Sequence, residues 1–496
     1  MFTTFDFFIL SSEVFLLSAI LIILVFGVLI SSSVWFGCPV LNLILGKLTL
    51  YIIVITFFLT WNGPNINISL LNDLFLYDSL FLGIKYIVLV SFLIWVLASL
   101  DYVQNENLNI FEYWILSLFS LFAMFCLLAA SDILTLYMAI ELQSLSFYIL
   151  ASLNRTSEFS TEAGLKYFII GAFSSIILLF GFSLLYGSTG LTHFEDLNKF
   201  FLKEFLVDSP TLSIFLMSLT FILVSLLFKI SAAPFHMWSP DIYEGAPTGV
   251  TLFFAIMPKV VVTCIIIRLF SYNLQDVFPF WQSLLLFSAI LSLTIGTFGA
   301  FVQTKWKRFL AFSSINHQGF ILLSLATGSL IGNEVALYYT IIYIIMTLTL
   351  FTLFLSLRFK LNYGSSQIRY LKDICMLGKT NPSIALCFML VLFSMGGVPP
   401  LAGFLAKVLV ILEVVKVNLL ALIVLTVLLS SIACFYYLRL LKTLYFQDVT
   451  KWPVFKPVNK NLALLSSGSS ILLLYFCVDP SILQFPIKVC FTLLKI

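Results

Sequence analysis

The chain is a succession of long apolar runs separated by short polar connectors. A run of about 17–25 apolar residues can cross a hydrocarbon layer of about 30 Å as a helix. Fourteen such spans are predicted, at residues 12–31, 43–60, 79–100, 112–130, 132–152, 164–187, 211–230, 248–270, 281–302, 308–330, 335–358, 382–415, 418–441 and 461–478. The twelfth is too long for one straight span and is interrupted by GGVPP at Gly396–Pro400. Proline removes a backbone donor and clashes with the preceding turn, so the helix breaks there. The seventh ends at KISAAP, where Pro234 limits it in the same way. Broken backbone at membrane depth is tolerated only where protein or water surrounds it. Both interruptions are therefore expected to face the interior.

This pattern predicts one all-α polytopic membrane domain over residues 1–496. Three leading helices (1–111) precede helices four to eight (112–270) and nine to thirteen (281–443), and a C-terminal loop with helix fourteen closes the chain (444–496). Each five-helix group holds one broken helix, the seventh and the twelfth. Interrupted helices at corresponding places in two halves point to two inverted repeats, as in many transporters. The longest polar stretches, 188–210 and 359–381, are read as connecting loops.

Composition agrees with a protein held mostly in lipid. The 496 residues are 61% hydrophobic and 10% charged, with mean hydropathy +1.11, where a soluble domain carries about 25% charge. The net charge of +3 gives no reason to expect nucleic acid as a partner; where the charges sit is more informative. Sixteen Lys and Arg, from Lys47 to Lys460, fall on one side of the predicted spans. Six fall on the other: Lys199, Lys203, Arg268, Lys416, Lys488 and Lys495. By the positive-inside rule the first side faces cytoplasm or matrix, and both termini lie opposite.

Several chemistries are not signalled. Cys38, Cys126, Cys264, Cys375, Cys387, Cys434, Cys477 and Cys490 are scattered, with no CxxC, whereas zinc and iron–sulfur sites need clustered thiolates. No glycine-rich nucleotide motif joins a strand to a helix. The first residues, MFTTFDFFILSSEVF, hold no basic group, so neither a secretory signal nor a transit peptide is expected.

Four charges lie inside the apolar runs: Glu141, Lys229, Lys259 and Lys407. A charge at mid-bilayer depth costs roughly 2.5–3.5 kcal/mol on insertion scales. Four left unpaired would approach the whole stability of an ordinary fold, about 5–15 kcal/mol. Such groups must face one another, water, or both, which is also what proton transfer needs. Glu141 is too short to reach an interface, so it is either a buried protonated acid used in packing or a carboxylate paired to a lysine. Lys229 precedes the SAAP break and either extends to headgroups or faces water at the break. Lys259, with about ten apolar residues on each side, has no such escape. Desolvation makes a buried amine readier to give and take a proton. Lys407 follows the second break, where a cation can meet freed carbonyls and water. His317, beside Ser313, Ser314, Asn316 and Gln318 in the tenth span, is read as a relay or as a satisfied core group. His236 is expected to be structural, Lys85 to reach the headgroups, and Lys166 to do either.

Five stretches carry a family resemblance: ELQSLSFYILASLNR, EAGLKYFIIGAFSS, FKISAAPFHMWSPDIYEGAPT, TKWKRFLAFSSINHQGF and GGVPPLAGFLAK. In order and without a large gap, over roughly residues 110–445, they resemble the second antiporter-like subunit family of respiratory complex I, NADH:ubiquinone oxidoreductase, in its mitochondrial form. The resemblance implies a membrane-arm subunit that translocates protons across the mitochondrial inner membrane, with its termini toward the intermembrane space; a bacterial plasma membrane is the alternative. It implies a modulating pair matched by Glu141 and Lys229, a link between half-channels matched by Lys259, a connection to the far side matched by Lys407, and the helix-ten histidine matched by His317. Other membrane-arm subunits, neighbouring antiporter-like subunits among them, and membrane lipids would be the partners. NADH, FMN, iron–sulfur clusters and ubiquinone would belong to other subunits of the enzyme, with no cofactor, metal or redox site in this chain. The runner-up is a subunit of an Mrp-type cation/proton antiporter.

Overall fold

The computed structural model describes residues 4–31, 41–64, 67–106, 108, 110–204, 210–360, 365–447 and 454–492. Cys38, Lys451 and Lys495 lie outside them. The spans appear as α1 (Ser11–Ser31), α2 (Leu41–Trp61), α3 (Ser79–Asn105), α4 (Glu112–Ala129), α5 (Ile133–Ala151), α6 (Glu158–Thr189) and α7 (Pro210–Ile230). They continue as α8 (Thr248–Ile266), α9 (Phe278–Val302), α10 (Trp306–Leu325), α11 (Leu330–Ser356), the two halves α12a (Pro382–Gly396) and α12b (Ala402–Lys416), α13 (Leu420–Tyr445) and α14 (Lys460–Val478).

Twelve of these are long and apolar enough to cross a membrane alone. The two exceptions are instructive. Each half of α12 has 15 residues, about 22 Å of helix, so a crossing needs both. α10 falls short because its middle holds Ser313, Ser314, Asn316, His317 and Gln318, all buried. It is a polar helix shielded by protein rather than an apolar one facing lipid.

Burial sorts the bundle. Every residue of α8 is buried, and most of α11 is too. Helices α6 and α13 instead turn many large apolar side chains outward, such as Phe173, Ile176, Val424 and Phe435, as lipid-facing helices do. The polar groups on α8, α10 and α11 therefore meet in the interior. Pro258 leaves α8 continuous, and the helix changes pitch only at its end, in a π-helix over Ile267–Asn273.

Both polar connectors contain structure where loops were expected. A helix, Phe194–Glu204, lies in the first. The second has a hairpin of β3 (Arg358–Lys360) and β4 (Ser365–Gln367), and a separate hairpin of β1 (Ile68–Leu70) and β2 (Phe75–Tyr77) lies between α2 and α3. A helix over Ser481–Thr492 follows α14; its proline and short length hide it in the hydropathy pattern.

Lys85 corrects the sequence reading. It does not reach the headgroups but is fully buried and ion-paired with Glu13 of α1, with Ser12 Oγ accepting at 2.8 Å and the Phe81 and Phe125 rings at 4.9 and 5.0 Å. The local sequence around Lys85 cannot show a partner that lies on another helix. Arg268, counted with the side poorer in basic residues, is also buried. It grips both oxygens of Asp78 at 2.8 and 2.7 Å and donates to the Leu128 carbonyl at 2.6 Å.

Candidate proton-transfer site

Two helix breaks organise the interior. α7 ends with Ser231 in the left-handed region (φ 64). Ser231 N donates to the Phe228 carbonyl and Ala232 N to the Leu227 carbonyl, both at 3.0 Å, the paired closure of a Schellman cap. Trp238 Nε1 adds a bond to the Phe228 carbonyl at 3.0 Å. Cis Pro234 follows, and the short helix Trp238–Gly245 leads into α8. α12a ends by the same scheme: Gly397 (φ 81) donates to the Phe393 and Ser394 carbonyls at 2.9 and 3.1 Å, and Val398 N to Phe393 at 3.0 Å. Cis Pro400 follows at the same offset.

The lysines lie on opposite sides of their breaks. Lys407, on α12b, reaches back and donates to the carbonyls of Met395 (2.8 Å) and Gly396 (2.9 Å), the last of α12a. A cation at a helix C-terminus also opposes the negative end of the helix dipole. Two glycines permit this. A Cβ at Gly403 would stand 1.9 Å from the Ser394 carbonyl oxygen, and one at Gly397 2.9 Å from Lys407 Cδ. Lys229, on α7 itself, is half-buried and has no hydrogen bond or ion pair within 4 Å among the described residues. The carboxylate that acts on it electrostatically is Glu141 of α5. Glu141 accepts a long hydrogen bond from Ser144 at 3.4 Å through Oε2, while Oε1 is buried without a protein partner.

Lys259 lies on α8, which packs against both α7 and α11. It is 3% exposed, and Nζ donates to Tyr343 Oη of α11 at 3.2 Å. The Tyr343 ring lies 5.6 Å from that of His317. His317 is fully buried, with Nδ1 2.8 Å from Tyr339 Oη and Nε2 3.4 Å from Tyr437 Oη. Lys259 and Lys407 both act on it electrostatically, and Lys407 lies 5.5 Å over the Phe320 ring one turn away.

The structure therefore brings Lys259, His317 and Lys407 into one cluster and Glu141 with Lys229 into another. Ser314 lies within reach of Tyr243, from the helix after the first break, and of Tyr343. Buried polar atoms without protein partners recur here: Tyr243 Oη, Ser231 Oγ, Thr248 Oγ1, Asn316 Oδ1 and the Gln318 amide. Polar atoms so placed are normally satisfied by internal water. Sequence reasoning missed the phenols. Tyr339 and Tyr343 stand four apart on one face of a buried helix, a signal present in the sequence but indistinguishable there from aromatic packing. It also missed Asp241 and Glu244, which hold Arg308 (2.5 Å from Asp241), Lys305 and Lys166 (3.4 Å) in a surface network. His236 is buried, with Nδ1 3.2 Å from the Pro234 carbonyl. No three His, Cys, Asp or Glu side chains among the described residues converge as a metal site would require.

The family described as NADH:quinone oxidoreductase/Mrp antiporter, TM, matches residues 130–433. The chain belongs to this family. It is 40% identical over 479 residues to NADH-ubiquinone oxidoreductase chain 2 of Marchantia polymorpha, covering 96% of each chain. It is 41% identical over 411 residues to NADH-quinone oxidoreductase subunit N of Paramagnetospirillum magneticum, covering 83% of each. Its fold is similar to a chain of respiratory complex I from Thermus thermophilus (TM-score 0.77, 24% identity, 95% of this chain and 98% of that one). A chain of the Mrp complex from Dietzia is similar in fold as well (TM-score 0.80, 18% identity, 99% and 98%). It is a multi-pass membrane protein of the antiporter-like class.

Proposed function

We propose that this chain is a membrane-arm subunit of a respiratory complex I, NADH:ubiquinone oxidoreductase, in which it translocates protons. The observation that carries the reading is Lys259: an amine buried in the innermost helix, held by one phenol, between an acid–lysine pair on one side and a histidine–lysine pair on the other. The relatives named as oxidoreductase subunits support the placement, and the plant relatives support the mitochondrial inner membrane. The basic-residue asymmetry supports termini on the intermembrane-space side. The partners in this reading are the other membrane-arm subunits, and the redox groups lie elsewhere in the complex. Two inverted five-helix repeats, residues 112–270 and 281–443, are part of the proposal; the matched caps at Ser231 and Gly397 support them.

The geometry suggests the working cycle. Glu141 and Lys229 attract without touching, so a movement of α5 against α7 changes their separation. A closer carboxylate favours the ammonium form of Lys229, and a more distant one releases its proton toward Lys259. Lys259 passes it on through the Tyr343–His317 cluster, and Lys407, anchored on helix-end carbonyls, completes the row.

The test is native-gel separation of detergent-solubilised membranes with an in-gel NADH-dehydrogenase stain and mass spectrometry of the bands. The chain is expected in the NADH-oxidising band. Its presence only in a small separate assembly would reject the placement. The likeness in fold to the Mrp complex makes a cation/proton antiporter subunit the second reading, which that result would favour.

A further inference from the structure

The second half of the bundle holds a cavity of about 960 Å³ that the proton-transfer cluster does not by itself explain. Its walls include Thr304, Lys372 and the end of α13, which place its mouth on the side richer in Lys and Arg. Tyr436, Leu440 and Thr443 line it at helical spacing, so it follows α13 inward for about 10 Å at about 1.5 Å per residue, and Gln447 lines it beyond the helix end. At its inner end Tyr436 lies against Tyr437, with ring centroids 4.4 Å apart and interacting hydroxyls. Asn316 Nδ2 lies 3.5 Å from Tyr436 Oη. Tyr437 Oη is the group 3.4 Å from His317 Nε2. At the rim, Lys372, Arg439 and Lys442 are exposed and make no ion pair among the described residues. The one carboxylate there among the described residues, Asp373, is occupied by the backbone amides of Arg369 and Tyr370 at 3.1 and 2.9 Å.

We infer that this cavity is a proton port, joining the basic-residue side to His317 through Tyr436 and Tyr437. The inference rests on the proton-translocating reading. Three hydrated cations keep the mouth wet where a purely apolar constriction would dewet. With Nδ1 protonated and donating to Tyr339, Nε2 of His317 is left to accept. A cavity water gives a proton to the Tyr436 oxygen as the Tyr436 proton passes to Tyr437 and the Tyr437 proton passes to Nε2. Each phenol gains one O–H bond and loses one, an N–H bond forms on His317, and hydroxide remains in the cavity. The rim cations favour that hydroxide until a proton from the bulk solution, carried by hydronium or a protonated buffer, converts it to water. Tyr436 and Tyr437 are thus proton-passing residues, and the cations set the conditions at the entrance.

The test uses the assembled complex in sealed vesicles. Tyr437→Phe keeps the ring and removes the hydroxyl, so proton flux per NADH oxidised is expected to fall several-fold while the complex assembles. Thr443→Cys at the cavity wall is expected to react with a charged, membrane-impermeant thiol reagent added on the basic-residue side. Normal flux in Tyr437→Phe beside lost flux in Lys259→Met would overturn the port and leave the proposed function standing. Normal flux in Lys259→Met would overturn the proposed function. A Thr443→Cys chain that is unreactive, or reactive only from the opposite side, would overturn the port even if Tyr437→Phe failed to assemble; an anionic lipid filling the cavity gives that result.

Discussion

At Ser231 and at Gly397 the chain leaves a helix through a left-handed residue, closes the end with the same pair of backbone bonds, and reaches a cis proline three residues later. What differs is where the lysine stands. Helical side chains lean toward the N-terminus of their own helix. Lys229, near the end of α7, therefore leans away from the carbonyls its own break frees. Lys407 sits on the helix after its break and leans back onto them. The first arrangement leaves an amine without a fixed protein ligand, answering to a carboxylate across a gap. The second anchors the amine on two carbonyls. The same break thus yields a responsive cation in one half and a held one in the other.

The largest way to break this comparison is Gly403→Ala. Its Cβ would meet the Ser394 carbonyl oxygen at 1.9 Å, a backbone clash that cannot be relieved by a rotamer change. Overpacking costs typically about 1–3 kcal/mol, sometimes more. Loss of the chain from the assembled complex on native gels is expected. Next comes the pair Lys407→Met and Lys229→Met. The first leaves the Met395 and Gly396 carbonyls without their donor, and an unsatisfied buried acceptor costs about 1–3 kcal/mol. A lowered thermal midpoint is expected for Lys407→Met and little change for Lys229→Met, with proton flux reduced in both. Equal midpoints would remove the distinction between held and responsive lysines.

Glu141→Gln comes third. It keeps the side-chain size, so stability should hold while proton flux falls, because Lys229 loses the charge that modulates it. The smallest effect is expected for Ser231→Gly. A non-glycine residue in the left-handed region costs about 1–2 kcal/mol, and the larger unfolded-state freedom of glycine offsets part of that. A slight rise in thermal midpoint with unchanged flux is expected; a fall would show that Ser231 Oγ, buried without a protein partner, has a role of its own.

Twelve of the fourteen expected spans were legible because lipid-embedded runs are apolar, and the two breaks and the four charges within apolar runs were legible because they depart from that rule. Lys407 meeting freed helix-end carbonyls follows from the same rule applied to GGVPP. Lys85 was misread because its partner, Glu13, lies on another helix. The tyrosines around His317 were hidden for a related reason. Tyr339, Tyr343 and Tyr437 come from α11 and α13, and only their convergence on α10 turns packing aromatics into hydrogen-bond partners. α10 is the least apolar of the spans because it carries buried polar side chains through its middle, whereas the halves of α12 are apolar but too short to cross alone.

The most direct test of the account is proton flux per NADH oxidised in an assembled complex carrying Lys259→Met. Methionine keeps much of the buried volume and removes the proton-binding amine. The account predicts NADH oxidation with sharply reduced proton translocation. An unchanged number of protons per NADH would contradict it, since no proton could then depend on the amine at the centre of the row.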